Sequence, residues 1–486
     1  THFDYKYNIL RRGILNDTKA DLLLFGSAER AILTLLERMQ RIVDGSDDKK
    51  LLEMAKENNK QNRKESTNEP SPNFLFEKIK PKLHLASIEG VAFRVKKTEI
   101  AKDMRIMPSY EECVADKSKF NLLTRIHYLL PDESFVEQCG VGFIQHNRPE
   151  HTLTEKEMDF LYSQPFTRKL HPNSLQFEMQ QEMVEKLNTS IVIGRGCWGS
   201  CSFCIIPLVQ GKEVAKRSKE SIVKEIETLY ANGEKKINDL TLPTLNMYGS
   251  KCGLYKHAKV MFSPIINEEI TVYDKKEYCN QQCAGCKYRV LSDDLYPLLE
   301  EIEKVQQKYK EKRDENGKGG EEKELELRSA IRHDIILDQK KLFRKIMQFT
   351  TRLKIAPEHI SDEVLKQMNK ATRKAFDDFL EEYKKVNKEQ GTNKNLVPYI
   401  IAGHPGSTEE DMEKMRRYCE DHNIYVNLTQ VFTPTPGTLS TAMYYTGENP
   451  MTREKIHVPR TFREKKNQKN IIMGMQSPDE IADENG

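Results

Sequence analysis

From residue 190 onward the apolar positions settle into a regular alternation of short runs and helical stretches. Strands are predicted at 190–193, 236–242, 324–328, 353–356, 396–402 and 424–432. The last alternates cleanly, with Ile424, Val426 and Leu428 on one face and Tyr425, Asn427 and Thr429 on the other. Between the strands the period lengthens to that of a helix. Ser218 reads as the cap of a helix carrying Ile222, Val223, Ile226, Leu229 and Tyr230 and stopping at Gly233. Helices at 295–305, 335–347 and 376–386 continue the series, and Ser407 with Glu410 reads as a capping box opening another. Six strands alternating with helices predict an α/β fold of parallel units. The expected product is a six-stranded partial barrel, (β/α)6, with an open doubly wound sheet as the alternative.

The earlier chain is less regular. A strand at 21–25, the pair Gly26-Ser27 and a helical pattern of Ala28, Ile32, Leu33, Leu35 and Leu36 form one unit that needs neighbouring strands. Residues 44–72 are polar and charged. The sequence therefore divides into an N-terminal α/β remnant with its linker (1–72), a connecting region (73–189), the barrel (190–450) and a basic, then acidic, flexible tail (451–486). The charged stretch 308–323 reads as a solvated loop.

Composition narrows the function class. Apolar residues make up 37% of the 486, and 77 Lys+Arg nearly cancel 74 Asp+Glu to leave +3, so wholesale disorder is not expected. A dedicated nucleic-acid clamp carries a larger basic excess. No apolar run reaches the ~18 residues of a membrane span, no signal peptide is visible, and a cytoplasmic location is expected.

The ten cysteines carry the chemistry. Seven lie between Cys197 and Cys286, and six of these form two runs of identical spacing, C-x3-C-x2-C: Cys197, Cys201, Cys204 and Cys279, Cys283, Cys286. Clustered cysteines in an intracellular chain read as metal ligands or catalytic thiols. The first run follows the first strand directly, where β/α barrels place reactive loops. Gly194, Gly196 and Gly199 favour a loop that wraps an ion or cluster. Thiolates suit iron–sulfur clusters and zinc. A cubane normally takes four, so three would leave one iron open. The second run, with Cys252 as a fourth ligand, permits a closed zinc site or an auxiliary iron–sulfur cluster, with unliganded cysteines as the plain alternative. Cys113, Cys139 and Cys419 are isolated and read as buried thiols.

The first run, with aromatic Phe203 before its last cysteine, resembles the radical SAM motif. That resemblance implies that Cys197, Cys201 and Cys204 hold a [4Fe-4S] cluster. Its open iron would chelate S-adenosylmethionine, and reduction would cleave this cofactor to a 5′-deoxyadenosyl radical acting on an unknown substrate. A wider set of segments is similar to YgiQ-type radical SAM proteins over nearly the whole chain. They are ADLLLFGSAER (20–30), LTEKEMD (153–159), Gln210-Gly211 with Arg217-Ser218, PTLNMYG (243–249), IRHD (331–334), LKIAPEH (353–359), AGHPG (402–406) and TAMY (441–444). The resemblance implies an electron donor such as flavodoxin or ferredoxin.

Two departures from the family pattern bear on this. The family's N-terminal region resembles cobalamin-binding domains. This chain begins, at Thr1, partway through it, so that segment is expected to be incomplete and cobalamin binding is not expected. Thr241-Leu242 replaces a Gly-Gly that meets the methionyl amino group of the cofactor, which predicts weakened cofactor binding unless another backbone group serves.

The remaining candidates sit at predicted strand ends. Pro243 and Thr244 follow the second strand on the cofactor segment. Glu358, with His359, follows the fourth, as a candidate for the ribose hydroxyls. His404 follows the fifth, and Gln430 lies late in the sixth, near the adenine. A histidine at these positions reads as a group that moves protons, and a loop-fixing hydrogen bond is the plain alternative for Glu358 as for each histidine. Two other functions stay open at this stage. One is a methylthiotransferase-like RNA modifier, which Thr433-Pro-Thr-Pro-Gly437 and the second cysteine set fit loosely. The other is a non-catalytic zinc protein.

Overall fold

The computed structural model describes residues 1–18, 20–44, 80–174, 187–253, 283–311 and 322–474, together with 181, 183 and 184. Contacts divide the chain into two compact units, Thr1–His151 and Thr152–Gly486. This division differs from the sequence reading, which places boundaries at 72 and 189. The reason lies in strand pairing. The strand Leu22–Leu24 pairs antiparallel with Val91–Val95, so residues on both sides of 72 share one sheet. That five-stranded sheet continues through Gly142–His146 and Phe135–Cys139, both antiparallel, to Arg105–Met107, which is parallel to its neighbour. The helix Glu29–Asp44 covers it through Ala31 and Leu35, which pack with Leu83, Val91 and Phe93.

The second unit carries the predicted α/β array. Ser190–Val192 pairs in parallel with Asp239–Thr241. Lys236–Ile237, the start of the same second strand, pairs with Glu324–Leu325. An isolated parallel bridge, Ile331 to Ile355, carries the third strand to the fourth, Arg352–Glu358. The fourth pairs with Asn395–Ala402, and that strand with Leu428–Val431. The six strands therefore form a parallel arc in sequence order, with no pairing between first and last among the described residues. This is the partial barrel. The sixth strand is shorter than its alternation predicts. Ile424 and Val426 are buried by packing, and pairing starts only at Leu428.

Helices cover the outside of the arc. Ser218 caps Lys219–Ala231, accepting from the Ser221 amide at 3.1 Å, and the helix turns Ile222, Ile226, Leu229 and Tyr230 into the core. Burial of each apolar side chain contributes roughly 1.5–3 kcal/mol. The predicted capping box at Ser407 lies one residue late. Thr408 is the cap, exchanging bonds with Asp411, because Ser407 is buried and spends its hydroxyl on Gln468 Oε1 at 2.8 Å.

Two polar segments also differ from their sequence reading. Residues 451–474 are not a flexible tail. Thr461 caps a helix, Phe462–Met473, that buries Lys465, Gln468 and Ile472 at helical spacing. The Lys465 stem lies so close to Gly403 that a Cβ there would sit 2.6 Å from its Cγ. Within 308–323, the first residues extend the helix Leu295–Glu311, and Lys323 is buried with its ammonium donating to the Glu234 carbonyl at 2.8 Å. Residues 312–321 and 475–486 lie outside the described residues.

Candidate cluster site

The first cysteine run leaves the end of the first barrel strand as a loop. Its path depends on backbone that has no room for side chains. Gly196 sits at φ +86°, and a Cβ there would fall 2.1 Å from the Glu213 carbonyl oxygen. The Cys197 amide donates to the Gly211 carbonyl at 3.2 Å, and the Cys204 amide to the Cys201 carbonyl at 3.1 Å.

The three thiols lie within electrostatic reach of one another. Burial pushes the Cys204 thiol up to about 12, and both Cys201 and Cys197 add to the shift. Burial also raises Cys197, with Cys201 adding, while Arg332 and a hydrogen bond from Thr244 oppose it. Cys197 Sγ lies 3.7 Å from Met247 Sδ. Among the described residues no three His, Cys, Asp or Glu groups converge as ligands of one ion. A cubane makes a different demand, since each cysteine binds its own iron and the ligands surround a volume.

Two further observations fit a thiolate-ligated cluster here. Trp198, next to Cys197, is buried, and its indole N–H has no hydrogen-bond partner among the described residues. Gly199 leaves a gap that a Cβ would close, at 2.9 Å from Arg332 Nη1 and 3.3 Å from Cys197 Sγ.

The loop is held from behind by a hydrogen-bonded chain. Ser202 Oγ donates to the Gln367 carbonyl at 2.6 Å and lies 2.8 Å from Ser440 Oγ, which is 2.6 Å from His404 Nε2. Asn369 donates to the Ser200 carbonyl at 2.6 Å. The rings of Phe203 and His404 meet edge to face at 6.1 Å. His404 is therefore a loop anchor, and burial pushes its pKa down to about 3. His359 is likewise enclosed. Its Nδ1 accepts from the Ile360 and Ser361 amides at 3.0 Å each, and burial lowers its pKa to about 4. Both histidines take the plain role, and neither is set up to move protons at neutral pH.

The other predicted residues divide. Thr244 reaches Cys197, as above. Pro243 precedes it in the turn out of the second strand. Leu242 is turned into the core, its Cδ1 beside Gly194, where a Cβ would come within 2.9 Å. Glu358 is buried at φ +67°, where the register with the fifth strand shifts, and lies near enough to act on Cys204. Burial raises its pKa, opposed by Lys370 Nζ at 3.8 Å. Gln430 is exposed on the sixth strand, and no contact ties it to the cysteines. Arg217 is occupied by Glu225, the Val192 carbonyl and Ser221.

The second run meets the first. Cys283 Sγ donates to Ser200 Oγ at 3.3 Å, between Cys197 and Cys201 in sequence. Cys252 lies on a short strand paired with Arg289–Val290, and the Cys286 amide donates to the Cys283 carbonyl at 3.3 Å. Cys279 lies outside the described residues. Cys113, Cys139 and Cys419 are buried thiols, with burial raising their pKa to about 12, 11 and 12.

Sequence reasoning missed Arg332, Asp334, Ser202 and Ser440 as members of this site. The IRHD segment was visible, yet nothing local marks its arginine as a neighbour of cysteines more than a hundred residues earlier.

Comparison with known proteins completes the picture. A family model described as Radical SAM N-terminal matches residues 1–190. A UPF0313 protein of Methanocaldococcus jannaschii is 30% identical over 490 residues, covering 97% of this chain and 69% of the relative. The chain belongs to the UPF0313 family of YgiQ-type radical SAM proteins. A Fusobacterium nucleatum UPF0313 protein is also 30% identical, over 97% of this chain and 73% of its own length. For a Clostridium botulinum member these shares are 97% and 64%. A domain of unknown function, DUF3362, matches residues 427–480, which include the C-terminal helix of this UPF0313 chain. Among solved structures, the radical S-adenosylmethionine methyltransferase TsrM of Kitasatospora setae aligns with TM-score 0.31 and 17% identity, over 50% of this chain and 36% of that one. Coproporphyrinogen III oxidase of Escherichia coli aligns at 0.25 and 13%, over 36% and 35%. No helix among the described residues is long and apolar enough to cross a membrane.

Proposed function

We propose that this chain is a radical SAM enzyme in which Cys197, Cys201 and Cys204 hold a [4Fe-4S] cluster. The observation that carries the reading is the gathering of these three thiols, mutually coupled, in one loop at the end of the first barrel strand. When bound, such a cluster supplies the electron that cleaves S-adenosylmethionine to methionine and a 5′-deoxyadenosyl radical, here acting on a substrate yet to be identified.

The chain's own residues would prepare the site. Trp198 and Met247, both buried, and Phe203 place apolar surface at the cysteine loop, which would limit the access of water to the partly buried sulfurs. Thr244 donates a hydrogen bond to Cys197. Glu358, beside Cys204, would accept from the cofactor's ribose hydroxyls, whereas Gln430, exposed on the sixth strand, is proposed for the adenine on its sequence position alone. Turning Leu242 toward Gly194 takes its bulk into the core, so the loss of the family's Gly-Gly need not obstruct the cofactor segment. Electrons would come from a flavodoxin or ferredoxin.

The contact of Cys283 with Ser200 brings one cysteine of the second run to the first loop, which supports a second centre on Cys252, Cys279, Cys283 and Cys286, with an auxiliary iron–sulfur cluster and zinc as the competing occupants and unliganded thiols as the plain alternative. Anaerobic reconstitution followed by iron, sulfide and zinc analysis tests both sites. About four irons per chain, lost in Cys197→Ala, supports the first alone, and about eight supports both. Zinc with no iron would contradict the proposal. Glu358→Gln is expected to weaken S-adenosylmethionine binding by roughly tenfold, or ~1.4 kcal/mol, as read by calorimetry on the reconstituted protein.

A further inference from the structure

Arg332 is buried beside the cysteine loop and held there from several sides. Its Nε and Nη2 grip Asp334 Oδ1 and Oδ2 at 2.9 and 2.8 Å, a planar two-point pair that fixes the guanidinium. Its main chain exchanges bonds with the Asn246 side chain, the amide donating at 2.9 Å and the carbonyl accepting at 3.2 Å. Asn246 belongs to the same segment as Thr244, which reaches Cys197. This leaves Nη1, and Nη1 is the atom nearest to where a Gly199 Cβ would stand, with Cys197 Sγ next. Gly199 thus keeps open the space between the guanidinium and the first cysteine. Burial alone would lower the Arg332 pKa, but Asp334, Cys201 and Cys197 outweigh it and hold the cation. Asp334 does not cancel that charge outright, because it is shared: Arg289 Nη1 approaches the same Oδ2 at 3.8 Å.

We infer that Arg332 is a positioning residue for the cluster, presenting a fixed cation to the sulfurs of the first cysteine run and raising the reduction potential of the metal centre they hold. This rests on the cluster reading above. The couple concerned is one electron, delivered by an external reductant such as dithionite, and Arg332 keeps its proton in both states. A cation fixed in a poorly solvated site stabilises the more negative, reduced form.

The test uses the full chain, reconstituted anaerobically as wild type, Arg332→Lys, Arg332→Gln and Asp334→Asn. Iron and sulfide are measured first. Each cluster is then titrated with dithionite in the presence of mediators and followed by low-temperature EPR. Arg332→Gln should make reduction about tenfold less favourable, a downward shift of ~59 mV for one electron. Arg332→Lys should fall between it and wild type, and Asp334→Asn should shift upward. Shifts of opposite sign at 332 and 334 are what a merely structural role would not produce. If the Gln variant holds no iron, Lys against Asn still carries the comparison. Coincident potentials in the iron-loaded proteins would overturn the inference and leave the cluster reading standing. A wild type that binds no iron would overturn both.

Discussion

Gly196 shows how strictly single residues set the cysteine loop. Its positive φ is costly for an L side chain, and a Cβ would collide with the Glu213 carbonyl. Gly196→Ala is expected to destabilise the chain by about 1–3 kcal/mol and to lower iron uptake, as measured by denaturant unfolding and iron analysis. Ser440 makes a second point. Ser440→Ala removes the link between His404 and Ser202, leaving His404 Nε2 buried without its partner while Ser202 keeps the Gln367 carbonyl, at a cost of about 1–3 kcal/mol in the same unfolding assay. An unchanged midpoint would show that the chain of hydrogen bonds does not hold the loop. The two residues also mark what the sequence makes legible. The three cysteines announce themselves because their spacing is local. Ser440 and Arg332 do not, since they meet the loop only once the chain has folded into the arc, 238 positions away in the case of Ser202 with Ser440.

At the level of elements, periodicity finds the strands and helices and misses what depends on their packing. Ser407 and Thr408 are both capping residues by type. Only the burial of Ser407 against Gln468 decides that Thr408 opens the helix. The segment after 451 reads as a tail because its helix buries a lysine stem and a glutamine rather than an aliphatic stripe. Gln468 accepts from the Gly403 amide at 2.8 Å and donates to the Ser407 carbonyl at 3.0 Å, so it pins the loop after the fifth strand. Gln468→Leu should therefore cost about 2–4 kcal/mol for two buried backbone groups left unpaired, although the substitution gains apolar volume. A thermal melt as stable as wild type would instead assign that helix to the surface.

For the whole molecule, the barrel unit encloses three histidines, His333, His359 and His404, that burial holds down to about 3, 4 and 3. Their folded pKa values lie below the unfolded value near 6.5, so the unfolded chain binds more protons at mildly acid pH. Stability should be level above about pH 7 and fall as pH drops through ~6.5, by about 2 kcal/mol per histidine at pH 5. Melting of the apoprotein across that range measures it, and a midpoint unchanged down to pH 5 would contradict the burial of these rings. The near-neutral net charge, the parallel arc and the cysteine loop are consistent with one account, a small-molecule cofactor held by a cluster at the barrel mouth. That account is tested most directly by one measurement. The chain is reconstituted with iron and sulfide without oxygen, given dithionite and S-adenosylmethionine, and assayed for 5′-deoxyadenosine. The account predicts product that requires the reductant and disappears in Cys201→Ala. A chain that carries a full cluster and forms no 5′-deoxyadenosine would contradict it.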